Sequence, residues 1–272
     1  YLCVLPPLEG WDEYQHLAYI QHLVEHDDPP VLWETHVPRA LVEKIAELPV
    51  PTSVTDHLPG TGAVDYHAYF RDGPPGYDPD HPDIWLYQAQ HGTLYYRLAR
   101  PVFLSSGGIE DLPRSVAVLR GINLLLLAGA VAGCLGIFGL LARDRAQIAW
   151  VGILIACQPL YLLNACRVAN DGLALFLGTY VVLWAVQPLW QQQVFAAVLA
   201  GVLLGLGIWA KSVNLVLLPF LVTCLAVSVF QKNLTLRRAL IASGAALGTA
   251  FLVALPNFLS NWNHFGMLTA MQ

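Results

Sequence analysis

Residues 118–142, VLRGINLLLLAGAVAGCLGIFGLLA, decide the fold class of this chain. The run is long enough to cross a bilayer as a helix, because about 20 apolar residues cover the hydrocarbon core. Further apolar runs of similar length follow it, separated by short connections that suit a helical bundle. The predicted spans are 118–142, 146–166, 172–190, 194–210, 212–230 and 239–259. The sequence therefore predicts an all-α polytopic membrane protein.

The composition agrees with this class and divides the chain into two parts. The 272 residues are 56% hydrophobic and 12% charged, with a mean hydropathy of +0.52, whereas a soluble domain carries about 25% charged residues. Of 19 acidic residues, 17 lie in residues 1–111, and only Asp144 and Asp171 follow them. The acidic first part and the apolar remainder indicate two physical environments, and neither is typical of a nucleic-acid-binding protein.

Basic residues in the short connections predict the orientation. Arg143 and Arg145 lie between the first two spans, and 232–238 (with Lys232, Arg237 and Arg238) lies between the last two. Positive loops favour the cytoplasmic side, so both connections are predicted to be cytoplasmic. The segment before the spans, the 167–171 turn and Lys211 are then predicted to lie outside.

The predicted organisation has four parts. Residues 1–5 are interpreted as the end of a first transmembrane helix, and 6–114 as a large extracytoplasmic loop. A six-span bundle occupies 115–259, and 260–272 begins another outer loop of a longer protein. Small-residue pairs at four-residue spacing predict close helix contacts within the bundle; they are Gly129 with Gly133, Gly201 with Gly205, and Gly244 with Gly248.

The outer segment contains helical patterns of its own. Residues 11–26 have apolar residues at helical spacing, and 38–48 repeat the pattern after a proline at the helix start. A loop rich in Pro, Gly and Asp occupies 50–83. Residues 85–104 predict a third amphipathic helix with aromatic residues suited to a membrane interface.

The first candidate for chemistry is the acidic pair at the start of the first helical pattern. Asp12, His16 and Tyr19 fall at i, i+4 and i+7 and are expected to share one helix face, while Glu13 points about 100° away. A carboxylate in a partly desolvated site can act as a general base. The alternative is an acidic pair that only stabilises the helix dipole.

The second candidate lies in NACRVANDGLA, residues 164–174. Asp171 follows Arg167 and Asn170 at the predicted outer end of the bundle, where charged groups are costly and often functional. The alternative is a helix N-cap, a position that suits Asp. Lys211 interrupts a long uncharged stretch and could bind an anionic head group, or could instead be a snorkelling lysine at a helix end.

Histidines form a weaker signal. His22 and His26 at i, i+4, followed by Asp27, would permit a metal site, but no third ligand has a defined spacing and a solvated polar face is the simpler interpretation. His91 differs because it lies in an aromatic-rich stretch. The sequence assigns no metal ligand, names no certain cofactor, and leaves a divalent metal requirement open.

Four stretches in order resemble one family. PPLEGWDEYQHLAYIQHL (6–23) resembles the first outer loop of GT-C glycosyltransferases, near the protein mannosyltransferases and the lipid A aminoarabinose transferase. YQAQHGTLYYRLARPVF (87–103) is similar to the family's Pro-Pro-Leu-Tyr-Tyr stretch. RVANDGLALFLGTYVVL (167–183) resembles its second outer loop, and GLGIWAKSVNLVLLPFLV (205–222) its Thr-Lys and Leu-Pro hairpin.

The resemblance implies a GT-C-like helical bundle that moves a sugar from a polyprenyl-phosphate donor to an acceptor at the outer face of the cytoplasmic membrane. Asp12 would be the base, Glu13 would support it, and Lys211 with Arg167 would neutralise the lipid phosphate. The catalytic residues implied are Asp12, Glu13 and Asp171, and the substrate-binding residues are His16, His91, Tyr95, Arg167, Asn170 and Lys211. The implied partners are the donor, membrane lipid and a protein, lipid or glycan acceptor.

Two departures from the family pattern and two other functions stay open. His91-Gly92-Thr93 replaces the Pro-Pro pair, and Trp209-Ala210 stands where a Thr precedes the lysine. The alternative functions are a multi-span transporter or lipid flippase, and an assembly protein with an outer interaction domain. The absence of acidic residues from the middle of the predicted spans favours the enzyme over the transporter.

Overall fold

The structure of the chain is a computed structural model. The model describes residues 12–47, 85–141, 144–158, 167–187 and 191–269. The predictions for 1–5, for the loop 50–83, and for parts of the second and third spans and of the 260–272 tail lie outside these residues.

Within the described residues the chain is helical, apart from one isolated antiparallel bridge between His36 and Trp85. Short 3-10 helices occupy Tyr87–Gln90 and Ser212–Val216. The α-helices are α1 (Glu13–His26), α2 (Arg39–Glu47), α3 (Leu94–Ser105), α4 (Leu112–Leu141), α5 (Arg145–Ala156), α6 (Asp171–Ala185), α7 (Val194–Ala210), α8 (Leu217–Phe230) and α9 (Leu236–Phe265).

The chain divides into two compact units. Unit 1 comprises Tyr1–Gln90 and Tyr96–Gly121, and unit 2 comprises His91–Tyr95 and Ile122–Gln272. The division falls inside α4, and the predicted boundary of the bundle at residue 115 stays a prediction. Each unit has its own buried residues, so each is described by itself.

Unit 1 is built on α1. Its apolar side chains Leu17, Ile20 and Leu23 are buried, as the helical spacing predicts. The helix ends where Asp27 adopts a left-handed conformation and its N–H donates to the carbonyl of Leu23. The first predicted amphipathic helix is therefore confirmed.

The other two predicted helices of this segment have different outcomes. The second, α2, begins at Arg39 directly after Pro38, whose carbonyl accepts the first turn's N–H groups. The third predicted helix, 85–104, is divided, because the 3-10 helix Tyr87–Gln90 ends before a non-helical 91–93 segment and α3 starts at Leu94. The prediction of one continuous helix there is wrong.

The core of unit 2 is the packing of α7 on α9. One face of α9 is a row of buried alanines at helical spacing, among them Ala242, Ala246 and Ala250. A Cβ placed on Gly201 would lie 2.8 Å from the Cβ of Thr249, and one on Gly205 would lie 2.7 Å from the Ala250 carbonyl oxygen. The glycines therefore allow the two backbones to approach, as predicted from their spacing.

The other glycine pairs have opposite outcomes. A Cβ on Gly129 would lie 2.6 Å from the Phe176 ring, and one on Gly133 would lie 2.7 Å from Thr179, so this pair faces α6 closely. Gly244 and Gly248 face open space, with nothing in the described part of the chain within 4 Å of an added Cβ. The prediction of a close contact at the third pair is wrong within these residues.

Among the described residues, three helices are long and apolar enough to cross a membrane, namely Leu112–Leu140, Ser212–Phe230 and Leu236–Phe265. The described parts of the other predicted spans form shorter apolar helices, Arg145–Ile155, Asp171–Ala185 and Val194–Ala210. Large apolar side chains such as Leu125, Phe195 and Phe230 point away from the protein interior, as expected where lipid is the solvent. The described residues thus form an all-helical structure with three candidate membrane-spanning helices, and the six-span bundle stays a prediction.

Candidate functional site

Asp12 begins α1 in an unusual backbone conformation. Its φ of 58° and ψ of 9° lie in the left-handed region, which a non-glycine residue adopts infrequently. Its carbonyl accepts hydrogen bonds from the N–H groups of Gln15 (2.9 Å) and His16 (3.1 Å), so its backbone caps the helix. Its side chain makes no cap hydrogen bond, so the carboxylate is available for other contacts.

Tyr87 holds that carboxylate. The phenol of Tyr87 donates a hydrogen bond to Oδ1 of Asp12, across 75 residues of sequence. Tyr87 is placed by the 3-10 helix Tyr87–Gln90, which follows the His36–Trp85 bridge. Both side chains are half-buried. Sequence reasoning missed Tyr87, and its only signal was its position in the aromatic stretch that resembles the family motif.

Glu13 faces the interior of unit 1. Its carboxylate accepts hydrogen bonds from Nε of Arg120 at 2.8 Å and from Nη2 of Arg120 at 2.5 Å. The side chains are 0% and 2% exposed, respectively. The predicted support of Asp12 by Glu13 stays a prediction, and the structure adds a buried partner that the sequence did not indicate. Arg120 lies within the predicted first span, where an arginine is expected to have a partner.

His16 and Tyr19 share one face of α1, as their spacing predicted. Nδ1 of His16 is 2.8 Å from the hydroxyl of Tyr96, and the Tyr19 ring stacks on the Tyr96 ring with centroids 3.7 Å apart. Burial raises the pKa of the Tyr19 phenol well above its usual value, although the charge of Arg97 opposes this. These rings hold α1 against α3 within unit 1.

In unit 2 the carboxylate of Asp171 lies between two cations. Oδ2 accepts a hydrogen bond from Nη2 of Arg167 at 2.8 Å, and Oδ1 accepts one from Nζ of Lys211. Two adjacent positive charges favour the ionised form of a carboxylate. The alternative prediction that Asp171 is a helix cap is wrong, because Asn170 occupies the N-cap position and Asp171 is the first helical residue. Lys211 is likewise an ion-pair partner rather than a lysine that only snorkels.

Asparagine side chains form hydrogen bonds with the backbone of the segments that carry these charged residues. Nδ2 of Asn170 donates to the Ala210 carbonyl at 3.0 Å, which ties residue 170 to the residue before Lys211. Nδ2 of Asn123 donates to the carbonyls of Arg167 and Ala169, at 2.5 and 3.1 Å. Both asparagines are buried. The structure thus places Asn170 beside this cluster, while its assignment to substrate binding stays a prediction. It also adds Asn123, which sequence reasoning missed because it lies inside an apolar run.

A third asparagine holds the end of α7. Nδ2 of Asn214 donates to the Ala174 carbonyl at 3.1 Å and to the Gly207 carbonyl at 3.0 Å. The chain leaves α7 at Lys211 in an extended conformation, and the N–H of Lys211 donates to the same Gly207 carbonyl at 2.9 Å. Asn214 adds a second hydrogen bond to that carbonyl and links it to Ala174 in α6. These hydrogen bonds fix the turn that contains Lys211.

The non-helical segment 91–93 packs on the same end of α7. The Trp209 indole N–H donates to Oγ1 of Thr93 at 3.1 Å. An added Cβ on Gly92 would overlap the Trp209 carbonyl oxygen, so only glycine fits at this approach. Of the two other residues assigned here, His91 is half-buried and Tyr95 is buried. Their assignment to substrate binding stays a prediction.

The histidines at the end of α1 do not form a metal centre within the described chain. The rings of His22 and His26 lie 4.6 Å apart, but Asp27 pairs with Arg100 instead. No group of three or more potential metal ligands is present among the described residues.

These two clusters can do different chemistry. In unit 1, a half-buried carboxylate with one oxygen held by a phenol is able to accept a proton from a hydroxyl or amine. In unit 2, the two positive charges of Arg167 and Lys211 exceed the single negative charge of Asp171, so the two cations can neutralise an anion such as a phosphate. Asp12 and Asp171 belong to different units, and the predicted convergence of their carboxylates in one cavity stays a prediction.

Comparison with known proteins returned no match: no family model, no curated protein and no solved structure matches this chain.

Proposed function

We propose that this chain is an integral membrane glycosyltransferase of GT-C type that moves a sugar from a polyprenyl-phosphate donor to an acceptor. The observation that carries the proposal is the pairing of Arg167 and Lys211 on Asp171 in unit 2. Arg167 and Lys211 lie at the ends of apolar helices with one carboxylate between them, so together they can bind the phosphate of a lipid.

The proposed reaction needs a base and an anion stabiliser. The acceptor's oxygen or nitrogen attacks the anomeric carbon of the sugar and loses a proton to a carboxylate, for which Asp12 is the candidate. The bond between the anomeric carbon and the phosphate oxygen breaks, and its electron pair stays on that oxygen. The leaving polyprenyl phosphate gains negative charge, which Arg167 and Lys211 would stabilise. Attack from the face opposite the leaving group inverts the anomeric configuration.

The features of Asp12 suit this role. A base must be held in one orientation, since catalysis depends on the geometry of the reacting atoms. The Tyr87 hydrogen bond restrains one carboxylate oxygen, and the Glu13–Arg120 pair anchors the adjacent residue. The left-handed backbone at Asp12 is the kind of local strain that is concentrated at functional sites.

The location proposed is the cytoplasmic membrane, with the reaction on the outer face and the product part of the cell envelope. The three helices long enough to span support membrane insertion. The orientation rests on the positive connections that contain Arg143, Arg145 and Lys232.

The test is a transfer assay with the chain in lipid nanodiscs. A polyprenyl-phosphate sugar with a labelled sugar is the donor, and a mixture of envelope lipid and peptide acceptors is supplied. Asp12→Asn is expected to reduce transfer at least about a hundredfold, with unchanged helicity and detergent-exchange behaviour. Asp28→Asn is the matched control, because Asp28 is an exposed carboxylate in the same unit.

Two results would overturn the proposal. One is an Asp12→Asn chain as active as wild type, which would remove the assigned base. The other is labelled solute uptake or lipid transbilayer movement by a chain that releases no labelled sugar from the donor. That second result would establish the transporter or flippase alternative.

A further inference from the structure

We propose that the Asp171 carboxylate weakens the binding of the phosphomonoester product to Arg167 and Lys211 more than it weakens the binding of the monoanionic phosphodiester donor, so that the product is released more readily. The inference rests on the proposed function, because it concerns how the same site distinguishes two lipids of that reaction. It assigns Asp171 a role in specificity and product release.

The geometry shows that Asp171 is an internal counter-ion. Each of its carboxylate oxygens accepts a hydrogen bond from a different cation, Arg167 or Lys211. The exposed fractions of the Asp171, Arg167 and Lys211 side chains are 30%, 13% and 26%, respectively. The three groups are therefore partly accessible, and an anion can approach the two cations while the carboxylate remains beside them.

The charges of the two lipids differ. A sugar linked through phosphate to a polyprenol is a phosphodiester with a single negative charge, whereas the phosphomonoester left after transfer carries about −1.5 to −2 at neutral pH. Within the three groups, the two cations and one carboxylate sum to +1. Both lipids are attracted by Arg167 and Lys211 and repelled by Asp171, and each of these interactions grows with the charge of the lipid phosphate. The Asp171 carboxylate therefore weakens the binding of the product more than the binding of the donor.

The backbone segments that carry the two cations are held in place. Asn170 ties the 167–171 segment to the carbonyl of Ala210, and Asn123 holds the carbonyls of Arg167 and Ala169. The backbones of both cation-bearing segments are therefore fixed by buried side chains. With Asp171 absent, the cations would stay close together with a net charge of +2 and would bind the monoester product more tightly.

The experiment uses two probes that share one tail. Farnesyl phosphate is the monoester and methyl farnesyl phosphate is the diester, and their Kd values are measured on the whole chain in nanodiscs at pH 7.5. Asp171→Asn is expected to lower the Kd of both probes. It should shift the ratio of the two Kd values about tenfold toward the monoester, because each added unit of charge difference acts at short range in a partly exposed site.

Three further variants separate charge from structure. Asp144→Asn changes the net charge of the chain equally at an exposed helix cap and should leave the ratio unchanged. Asp171→Asn with Lys211→Gln restores the net charge of +1 and should return the ratio to near wild type. Lys211→Gln alone gives a net charge of zero and should shift the ratio toward the diester, which keeps the test intact if Asp171→Asn does not fold.

The outcomes are distinguishable. A wild-type chain that transfers sugar, with the same Kd ratio in every variant, overturns this inference and leaves the proposed function standing. A double variant that is further from wild type than Asp171→Asn would show a structural role for Asp171 and also overturn the inference. A wild-type chain that binds neither probe and transfers no sugar overturns the proposed function and the inference with it.

Discussion

Glu13 and Arg120, 107 residues apart in sequence, form a bidentate ion pair inside unit 1. Neither side chain retains more than 2% of its exposure. The pair joins the first turn of α1 to the N-terminal part of α4. Glu13 directly follows Asp12 in the chain. A charge buried to this extent needs its partner, because desolvation alone would cost several kcal/mol per ion.

The first prediction follows from this pair. Arg120→Met leaves the Glu13 carboxylate buried without its cation and should destabilise unit 1 by about 3–5 kcal/mol. The double variant Glu13→Leu, Arg120→Met removes both charges and should recover most of that loss, because a well-packed apolar pair can replace a buried ion pair. Denaturant unfolding followed by circular dichroism measures both. Equal destabilisation by the single and double variants would contradict the interpretation.

The second prediction concerns Tyr87 as a positioning residue. Tyr87→Phe removes the hydrogen bond to Asp12 and should slow kcat about tenfold with little change in KM, since a hydrogen bond to a charged group contributes about 1.5–3 kcal/mol. In the Asp12→Asn background the same substitution should change the residual rate less than twofold. A further tenfold loss in that background would instead show that Tyr87 acts on folding or binding.

The third prediction compares two glycines of similar helical context. Gly201→Ala places a methyl group against the α9 backbone and should destabilise unit 2 by roughly 1–3 kcal/mol, the usual cost of overpacking. Gly244→Ala adds the same group where the described chain leaves room and should be neutral or stabilising by about 0.5–1 kcal/mol. Unfolding in mixed micelles with increasing denaturing detergent gives both values. Similar losses at both positions would show that α7 and α9 do not meet at Gly201.

The fourth prediction is a dependence of stability on pH. Burial, followed by the nearby His26, lowers the pKa of His22 from its usual value of 6.5, while Glu25 and Asp28 act in the opposite direction. Below that value the unfolded chain binds a proton that folded His22 resists, so His22 destabilises unit 1 as the pH falls toward its lowered pKa. His22→Gln should therefore reduce the loss of stability between pH 7 and pH 5. An unchanged pH profile would contradict this assignment.

The helices of unit 1 show which structural features the spacing of apolar residues can predict. The apolar spacing of 11–26 and the proline before 39 predicted α1 and α2 correctly, because one buried face and one helix start are local properties of the chain. The 85–104 stretch was predicted as one helix and is divided at 91–93. The tight approach of Gly92 to Trp209, 117 residues away, is a tertiary requirement that no local pattern reveals.

The glycine pairs give the same lesson in unit 2. All three have the spacing that allows close packing, yet Gly244 and Gly248 face no neighbour within the described chain. Spacing places two small residues on one helix face, but the choice of which faces meet depends on the whole bundle. The buried alanine row of α9 selects the Gly201 and Gly205 face of α7 as its partner.

The candidate residues were found by type, and their roles were decided by their partners. Asp171, Arg167 and Lys211 stood out because charges are rare in apolar surroundings, and the spacing of His16 and Tyr19 placed them on one face. Arg120, Tyr87 and Asn123 were missed because each acts through a residue more than 40 positions away.

The sequence by itself determined the helical membrane class, the acidic first segment and the rarity of charge in the apolar part, because composition and the length of apolar runs reflect the solvent in which a chain folds. Only the tertiary structure decided that Asp171 lies between two cations, that Glu13 forms a buried ion pair with Arg120, and that Tyr87 donates a hydrogen bond to Asp12. Hydrogen bonds and ion pairs require approach to within about 3 Å, and a pattern along the chain contains no information on distances between residues far apart in sequence.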